Sequence, residues 1–269
     1  MNLKAYRSVF RLRLITGLQY RTAACAGIAT QFFWGFILIM VYKAFYSTSA
    51  AEPPISLPQL ATYIWLQQAF LSFIALWFRD NELFQLITSG NIAYELCRPS
   101  GLYGFWYAKL LAMRLSSAAL RCLPILLVAL FLPRPYRLML PADPASSVLF
   151  AVTLLLGLLV LVGISMLVYI SVFVTLSPTG SLLMFGILGE FFAGMIIPVP
   201  LMPEWLQQIA CALPFRLAAD FPFRVYTGHI PKEETVFGIM IQLAWLAALI
   251  AAGNMLMNRA LRKLVVQGG

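Results

Sequence analysis

Charge is what this sequence has least of. Only 11% of its 269 residues are Asp, Glu, Lys or Arg, ten acidic and nineteen basic, while 61% are hydrophobic. A soluble chain is about 25% charged and about 45–50% apolar. So few charges could not cover this much apolar surface in water, which excludes a soluble globular domain. Histidine occurs once, at His229, with no Ser or Cys nucleophile near it in sequence. A lone histidine of that kind reads as an exposed loop residue, not as a metal ligand or an acid–base catalyst. The four cysteines, Cys25, Cys97, Cys122 and Cys211, are scattered, and Cys25 and Cys122 fall inside apolar runs. They imply neither a disulfide nor a metal site. Strand-like alternation of apolar and polar residues is missing, which argues against a transmembrane barrel. No GxxxxGK[ST] loop occurs, so ATP binding in the P-loop manner is not expected of this chain. The N-terminus does not read as a cleavable signal peptide, because its basic stretch is long and no small-residue cleavage site ends a short apolar core.

Long apolar runs are what the sequence has instead. Six of them, at about 22–45, 59–78, 103–132, 146–175, 179–198 and 236–257, can each cross a hydrocarbon core about 30 Å thick. The predicted fold is an all-α membrane protein with six transmembrane helices in a single transmembrane domain over 22–269. Before it, residues 1–21 form a basic helix, with Leu3, Tyr6, Phe10 and Leu14 at 3–4 spacing, predicted to lie in the membrane interface. An even span count puts both termini on one side. Twelve basic residues fall on that side (Lys4, Arg7, Arg11, Arg13, Arg21, Arg79, Arg98, Lys109, Arg114, Arg259, Arg262 and Lys263) and six on the other. The richer side is predicted to be cytoplasmic. The net charge of +9 flanks apolar runs, so it points to anionic lipid and orientation, not to nucleic acid.

Two stretches depart from the span pattern. In "FRDNELFQLITSGNIAYELCRPS", residues 78–100, Asp80 or Asn81 can cap a helix and Glu82 suits its first turn. Leu83, Phe84 and Ile87 share an apolar face, Gly90 stops the helix, and Pro99 turns the chain after Arg98. This short helix, about 80–90, is expected at the cytoplasmic surface. Its apolar face could lie back on the membrane or enter a groove on a soluble partner. The second stretch, "PVPLMPEWLQQIACALPFRLAADFPFRVYTGHIP", holds six of the sixteen prolines. Pro203 opens and Pro214 ends a helix too short to span, so about 199–215 is predicted to be a re-entrant or interfacial element on the outer side, anchored by Trp205.

The order of these parts resembles the membrane subunits of ABC-2 type exporters, more narrowly the compact six-span bacterial permeases linked to drug and toxin export. Two stretches carry the likeness: "LITSGNIAYELCRP" at 86–99, through Gly90, Leu96, Arg98 and Pro99, and "IPVPLMPEWLQQIACALPF" at 197–215, through Pro198, Pro203, Glu204, Trp205, Leu206, Pro214 and Phe215. Cys97 departs from a family leucine. The resemblance implies that 80–90 is a coupling helix seated in a separate ATPase subunit, present in two copies. It also implies a second permease subunit, identical or homologous, that ATP and Mg are bound by the ATPase and not by this chain, and location in the bacterial inner membrane. The cargo it implies is a lipophilic or amphipathic small molecule, with a lipid-linked glycan or a peptide as alternatives. A secondary transporter would show repeated halves with matching broken helices, and an integral-membrane lipid-modifying enzyme would show clustered carboxylates or histidines. Neither pattern is present.

Within the spans, Glu190 is the sharpest residue. An intramembrane carboxylate costs about 2.5–3.5 kcal/mol on insertion scales, so it must face a cavity or a partner. It could attract a cationic substrate beside Phe191 and Met195, or pair with Arg121 or Arg114. Arg114 is expected to snorkel at the cytoplasmic end, and Arg121 to be held by structural pairing. Trp65, Gln67, Gln68 and Phe70 could line an amphipathic path or pack the bundle.

Overall fold

The computed structural model describes residues 3–48, 52–98, 100–141 and 143–263. The described residues fold into helices only: α1 (Leu3–Leu18), α2 (Arg21–Thr48), α3 (Leu57–Ala69), α4 (Leu71–Ile74), α5 (Asn81–Thr88), α6 (Ile92–Leu96), α7 (Leu102–Phe131), α8 (Pro144–Thr175), α9 (Pro178–Phe192), α10 (Glu204–Ala212), α11 (Asp220–Tyr226) and α12 (Lys232–Arg262), with two short 3-10 turns, Val199–Leu201 and Phe215–Ala218. Four of these, α2, α7, α8 and α12, are long and apolar enough to cross a membrane. The chain is a multi-pass helical membrane protein.

α8 occupies the centre. Half of its most apolar stretch is buried, against about a fifth in α2 and α12. Its start is fixed by Asp143, whose carboxylate accepts from the Ser146 N–H at 2.7 Å, with Pro144 in the first turn. Small residues bring neighbours close to it. A Cβ on Gly157 would stand 2.7 Å from the Leu217 carbonyl oxygen, and one on Gly163 would stand 3.2 Å from Leu249 of α12. Large apolar side chains such as Phe33 and Trp34 on α2, Leu183 and Met184 on α9, and Phe237 and Met240 on α12 face outward, where lipid can take the place of a core.

Two of the six apolar runs do not form the continuous helices expected of them. The run at 59–78 divides into α3, the single turn α4, and an extended tail that reaches Asp80. α3 starts on a capping box, Ser56 with Gln59, and closes at Phe70. The run at 179–198 forms a helix only to Phe192. α9 has 15 residues, so at 1.5 Å each it is about 22 Å long, short of a full hydrocarbon core. Two residues beyond its end stands Gly194, whose φ of +78° lies in the left-handed region and where a Cβ would meet the Tyr63 hydroxyl at 2.6 Å. The basic N-terminal stretch forms a helix, α1. It packs along the first half of α7, from Tyr6 beside Gly101 and Gly104 to Gly17 against Ser116.

After α9 the chain makes a compact element from its proline-rich stretch. α10 starts after Pro203 and is 9 residues long; Trp205 on it is 63% exposed. α11 then packs against α8 and α3. Asp220 at the start of α11 is fully buried and ties this element together. Its N–H donates to the Ala193 carbonyl at 3.2 Å, and its carboxylate accepts from the Tyr63 hydroxyl (3.3 Å), the Val199 N–H (3.3 Å) and Arg224 (3.4 Å).

Candidate functional site

The short helix α5 is built as its sequence dictates and sits where its sequence does not reveal. Asp80 caps it, accepting from the Glu82 N–H at 2.9 Å. Gly90 follows it with a φ of +75°, reserved in practice for glycine. Its apolar face is not free for a membrane or a partner. Leu83, Phe84 and Ile87 are all buried in the core of this same chain, at 0%, 5% and 4% exposure. The reason is Tyr169 of α8. Its ring stacks on Phe84 with centroids 4.3 Å apart, and its hydroxyl accepts from the Asp80 N–H at 2.7 Å and donates to the Asp80 carbonyl at 3.3 Å.

A second attachment is ionic. Glu82 pairs with Arg13 of α1 and stands 3.7 Å from Lys109 of α7, while Arg13 is also 3.9 Å from Asp80. The hydrogen bond from Arg13 holds the Glu82 carboxyl below the usual carboxylate range, with Lys109 adding to the effect. Lys109 is 4% exposed and lies 5.8 Å from the Phe105 ring centroid. α5 is therefore bonded to three other helices at once: α1, α7 and α8. What it leaves to solvent is polar: Asn81, Glu82, Gln85, Thr88 and Ser89. A recess of about 310 Å³ lies against this face, shared with Arg79 and with Pro178 and Thr179 at the start of α9. Further along, Arg98 pairs with Glu95 at 3.0 Å and stacks over Phe105 at 4.8 Å. Pro99 lies outside the described residues.

The break in the second apolar run is held by a residue from another span. Arg114 of α7 is 1% exposed, and it does not snorkel to an interface. Its guanidinium donates to the carbonyls of Ser72 (2.8 Å), Ala75 (2.9 Å) and Phe78 (3.0 Å) and to the Ser165 hydroxyl (3.2 Å). Carbonyls freed where a helix ends inside a membrane protein need donors, and one arginine supplies three of them. Nothing in the second run itself announces this; the donor lies 36 to 42 residues away in sequence.

The intramembrane residues assigned to a substrate path are dispersed. Trp65 is fully buried, its indole N–H bonded to the Tyr136 carbonyl at 2.8 Å and its ring packed against Phe32, Phe36 and Gly35. Gln68 is 5% exposed. Both are interior, and they do not line an open passage. Glu190 is half-buried on α9 with one carboxylate oxygen lacking a hydrogen-bond partner, and Trp77 is its polar neighbour. It makes no ion pair among the described residues. Arg121 instead lies across α2, where a Cβ on Gly27 would stand 2.8 Å from the guanidinium carbon. Neither pair open to Glu190, with Arg121 or with Arg114, is formed: α9 packs on α8 and on the Phe215–Ala218 turn, while Arg121 of α7 lies against α2. Phe191 and Met195 are partly buried beside Glu190 in sequence, and the Met195 carbonyl accepts from Gln67 at 2.5 Å. Among the described residues no three His, Cys, Asp or Glu side chains gather closely enough to hold a metal ion.

The pattern of the family described as ABC-2 family transporter protein matches residues 32–268, nearly nine-tenths of the chain. The chain belongs to the ABC-2 transporter family. No curated protein matches it significantly. The ABC-2 match begins within α2 and covers every later element, so the α5 attachments, the Arg114 plug and the Asp220 knot all belong to the ABC-2 portion of the chain, with Arg13 of α1 contributing from outside it. Family membership marks the protein as a membrane component of transport. The residues that sequence reasoning missed are those that serve a distant partner: Tyr169, Asp220, and Lys109 in its role toward Glu82. Their signal was faint but present, since each places a polar group within a strongly apolar stretch.

Proposed function

We propose that this chain is the permease subunit of an ATP-driven exporter, that α5 is its contact with a separate ABC ATPase, and that it works beside a second permease subunit. One observation carries the reading: α5 is bonded rigidly to α1, α7 and α8 by its inner face while presenting a polar outer face with a recess beside it. A force applied to such a helix is passed to three elements at once, two of them long enough to span the membrane. The ATPase contact then consists of Asn81, Gln85, Thr88 and Ser89, and the buried Leu83, Phe84 and Ile87 are the attachment that makes the contact useful. The cargo is a lipophilic or amphipathic molecule moved outward. Support comes from an apolar cavity of about 630 Å³ between α2 and the segment after α9, lined by Tyr42, Phe45, Tyr46, Ile196 and Ile197, with Glu52 at its edge. Both termini then face the cytoplasm.

The test is Gln85→Asp, a change on an exposed position that leaves the core untouched. An unpaired charge at the centre of an interface costs about 2 kcal/mol or more. The variant should therefore insert with an unaltered melting temperature, retain the co-expressed ATPase about thirtyfold less, and lose export in proportion. Wild-type ATPase retention and wild-type export by this variant would remove α5 from the contact.

A further inference from the structure

At the basic end of the bundle a cavity of about 270 Å³ opens between α1, α2 and α7. Its position follows from the chain. α1 ends at Leu18 and α2 begins at Arg21, so the corner at Gln19 and Tyr20 turns the backbone away from α7. On either side of the corner the helices are drawn against α7. A Cβ on Gly17 would collide with the Ser116 hydroxyl at 2.1 Å, and one on Gly27 would strike the Arg121 guanidinium. Close approach at both glycines and departure between them leaves a gap with defined walls. The groups that line it are Arg121, Arg13, Tyr20, Thr16, Ser116 and Ser117, over an apolar floor.

Arg121 is the residue that makes this gap chemically particular. It is half-buried, on a helix long and apolar enough to cross the membrane, and it makes no ion pair or hydrogen bond with any described residue. Every other arginine on this face that is comparably enclosed has partners: Arg13 has Glu82 and Asp80, and Arg114 has three carbonyls and a hydroxyl. A guanidinium held in place by a glycine, facing a cavity with hydroxyls and no carboxylate, has the donor set for a phosphate group. The cavity stands at the start of α2, so its depth is that of lipid headgroups at the end of a span.

We infer that this cavity binds the phosphate of an anionic phospholipid, with Arg121 as the principal donor and the Tyr20 and Ser117 hydroxyls beside it. Arg13 closes the far wall. Because Arg13 also holds Glu82 of α5, the bound headgroup sits one side chain away from the helix that the proposed function assigns to the ATPase. The binding itself does not depend on that assignment, and it can be measured without an ATPase.

The experiment uses the full-length protein in nanodiscs, with lipid retention read by native mass spectrometry against a phosphatidylcholine background. The wild type should retain phosphatidylglycerol over phosphatidylcholine. Arg121→Gln should reduce that preference roughly tenfold, the effect of losing a charge-assisted bond, and Arg121→Lys should keep part of it. Ser117→Leu, which fills the cavity and leaves every arginine in place, should reduce it as well, and this second variant stands if Arg121→Gln does not fold. Added inorganic phosphate should not displace the lipid. Displacement at millimolar phosphate would make a free anion the ligand and overturn the lipid assignment. Equal retention of the two lipids by the wild type, or an undiminished preference in both variants, would overturn the site.

Discussion

Replacing Arg114 by methionine should destabilise the protein far more than its distance from any surface suggests. The substitution removes the donor to three main-chain carbonyls, those of Ser72 in α4 and of Ala75 and Phe78 after it; the Ala75 carbonyl keeps a long bond from the Phe78 N–H at 3.4 Å, and the other two lose their donor. A buried acceptor left without a partner costs about 1–3 kcal/mol, so the two orphaned carbonyls cost about 2–6 kcal/mol and the weakened third adds to that. An opposing effect exists. The wild type buries a cation with no carboxylate partner, and methionine relieves that desolvation, worth several kcal/mol. The net is therefore expected at the lower end, about 3 kcal/mol. At about 2–4 °C per kcal/mol for a chain of this size, the melting temperature should fall by roughly 6–12 °C. Arg114→Lys keeps the charge and reaches one or two of the carbonyls, so its loss should be about half. Thermal unfolding of the purified protein in detergent measures both. A methionine variant melting within about 2 °C of wild type, or a lysine variant as damaged as the methionine one, would refute the claim that hydrogen bonding to the broken run is what Arg114 supplies.

Leu83→Asp should fail by unfolding and not by uncoupling, because the side chain is fully buried against α8; protease sensitivity should rise and extractable folded protein should fall, and a stable Leu83→Asp protein that merely loses its ATPase would contradict the packing. Acid should loosen the start of α8. The Lys232 ion pair and the Ser146 N–H hold the Asp143 carboxyl down at about 2, below the usual value of about 3.9. A depressed carboxylate stabilises the fold above its unfolded value, and that contribution is lost as pH falls from about 4 toward 2. Amide exchange at Ser146 should accelerate over that range in the wild type and much less in Asp143→Asn, which keeps the cap without the titration.

The helix ends were legible because they are written locally. Asp80 and Glu82 before an apolar triplet, and Pro203 followed by Glu204, each mark a start within a few residues, and the starts lie there. The long helices α2, α7, α8 and α12 follow from long, predominantly apolar runs. What escaped is what depends on residues far apart in the chain. "LQQAFLSFIALWF" carries no breaker, and its interruption at Phe70 is stabilised from α7. The apolar face of α5 has the periodicity of a docking surface, and only the fold shows that the dock is Tyr169 of the same chain. Arg121 and Glu190 invited pairing because each lacked an evident partner, yet hydropathy along a sequence says nothing of which sides two helices present to each other.

The buried carboxylate of Asp220 has a consequence for how the protein is made. Its partner Tyr63 lies 157 residues earlier in the chain, and Gly194 and Val199, which share the knot, lie between them. Both native acceptors of the Tyr63 hydroxyl, the Gly194 carbonyl (3.0 Å) and Asp220, follow α7, α8 and α9 in the chain, so neither bond can form while those helices are being made. The knot closes only when Asp220 emerges, and α12 follows it. The first half of the bundle therefore waits, incompletely bonded, for the outer element to lock it, and assembly of the two halves is a late event set by the order of translation.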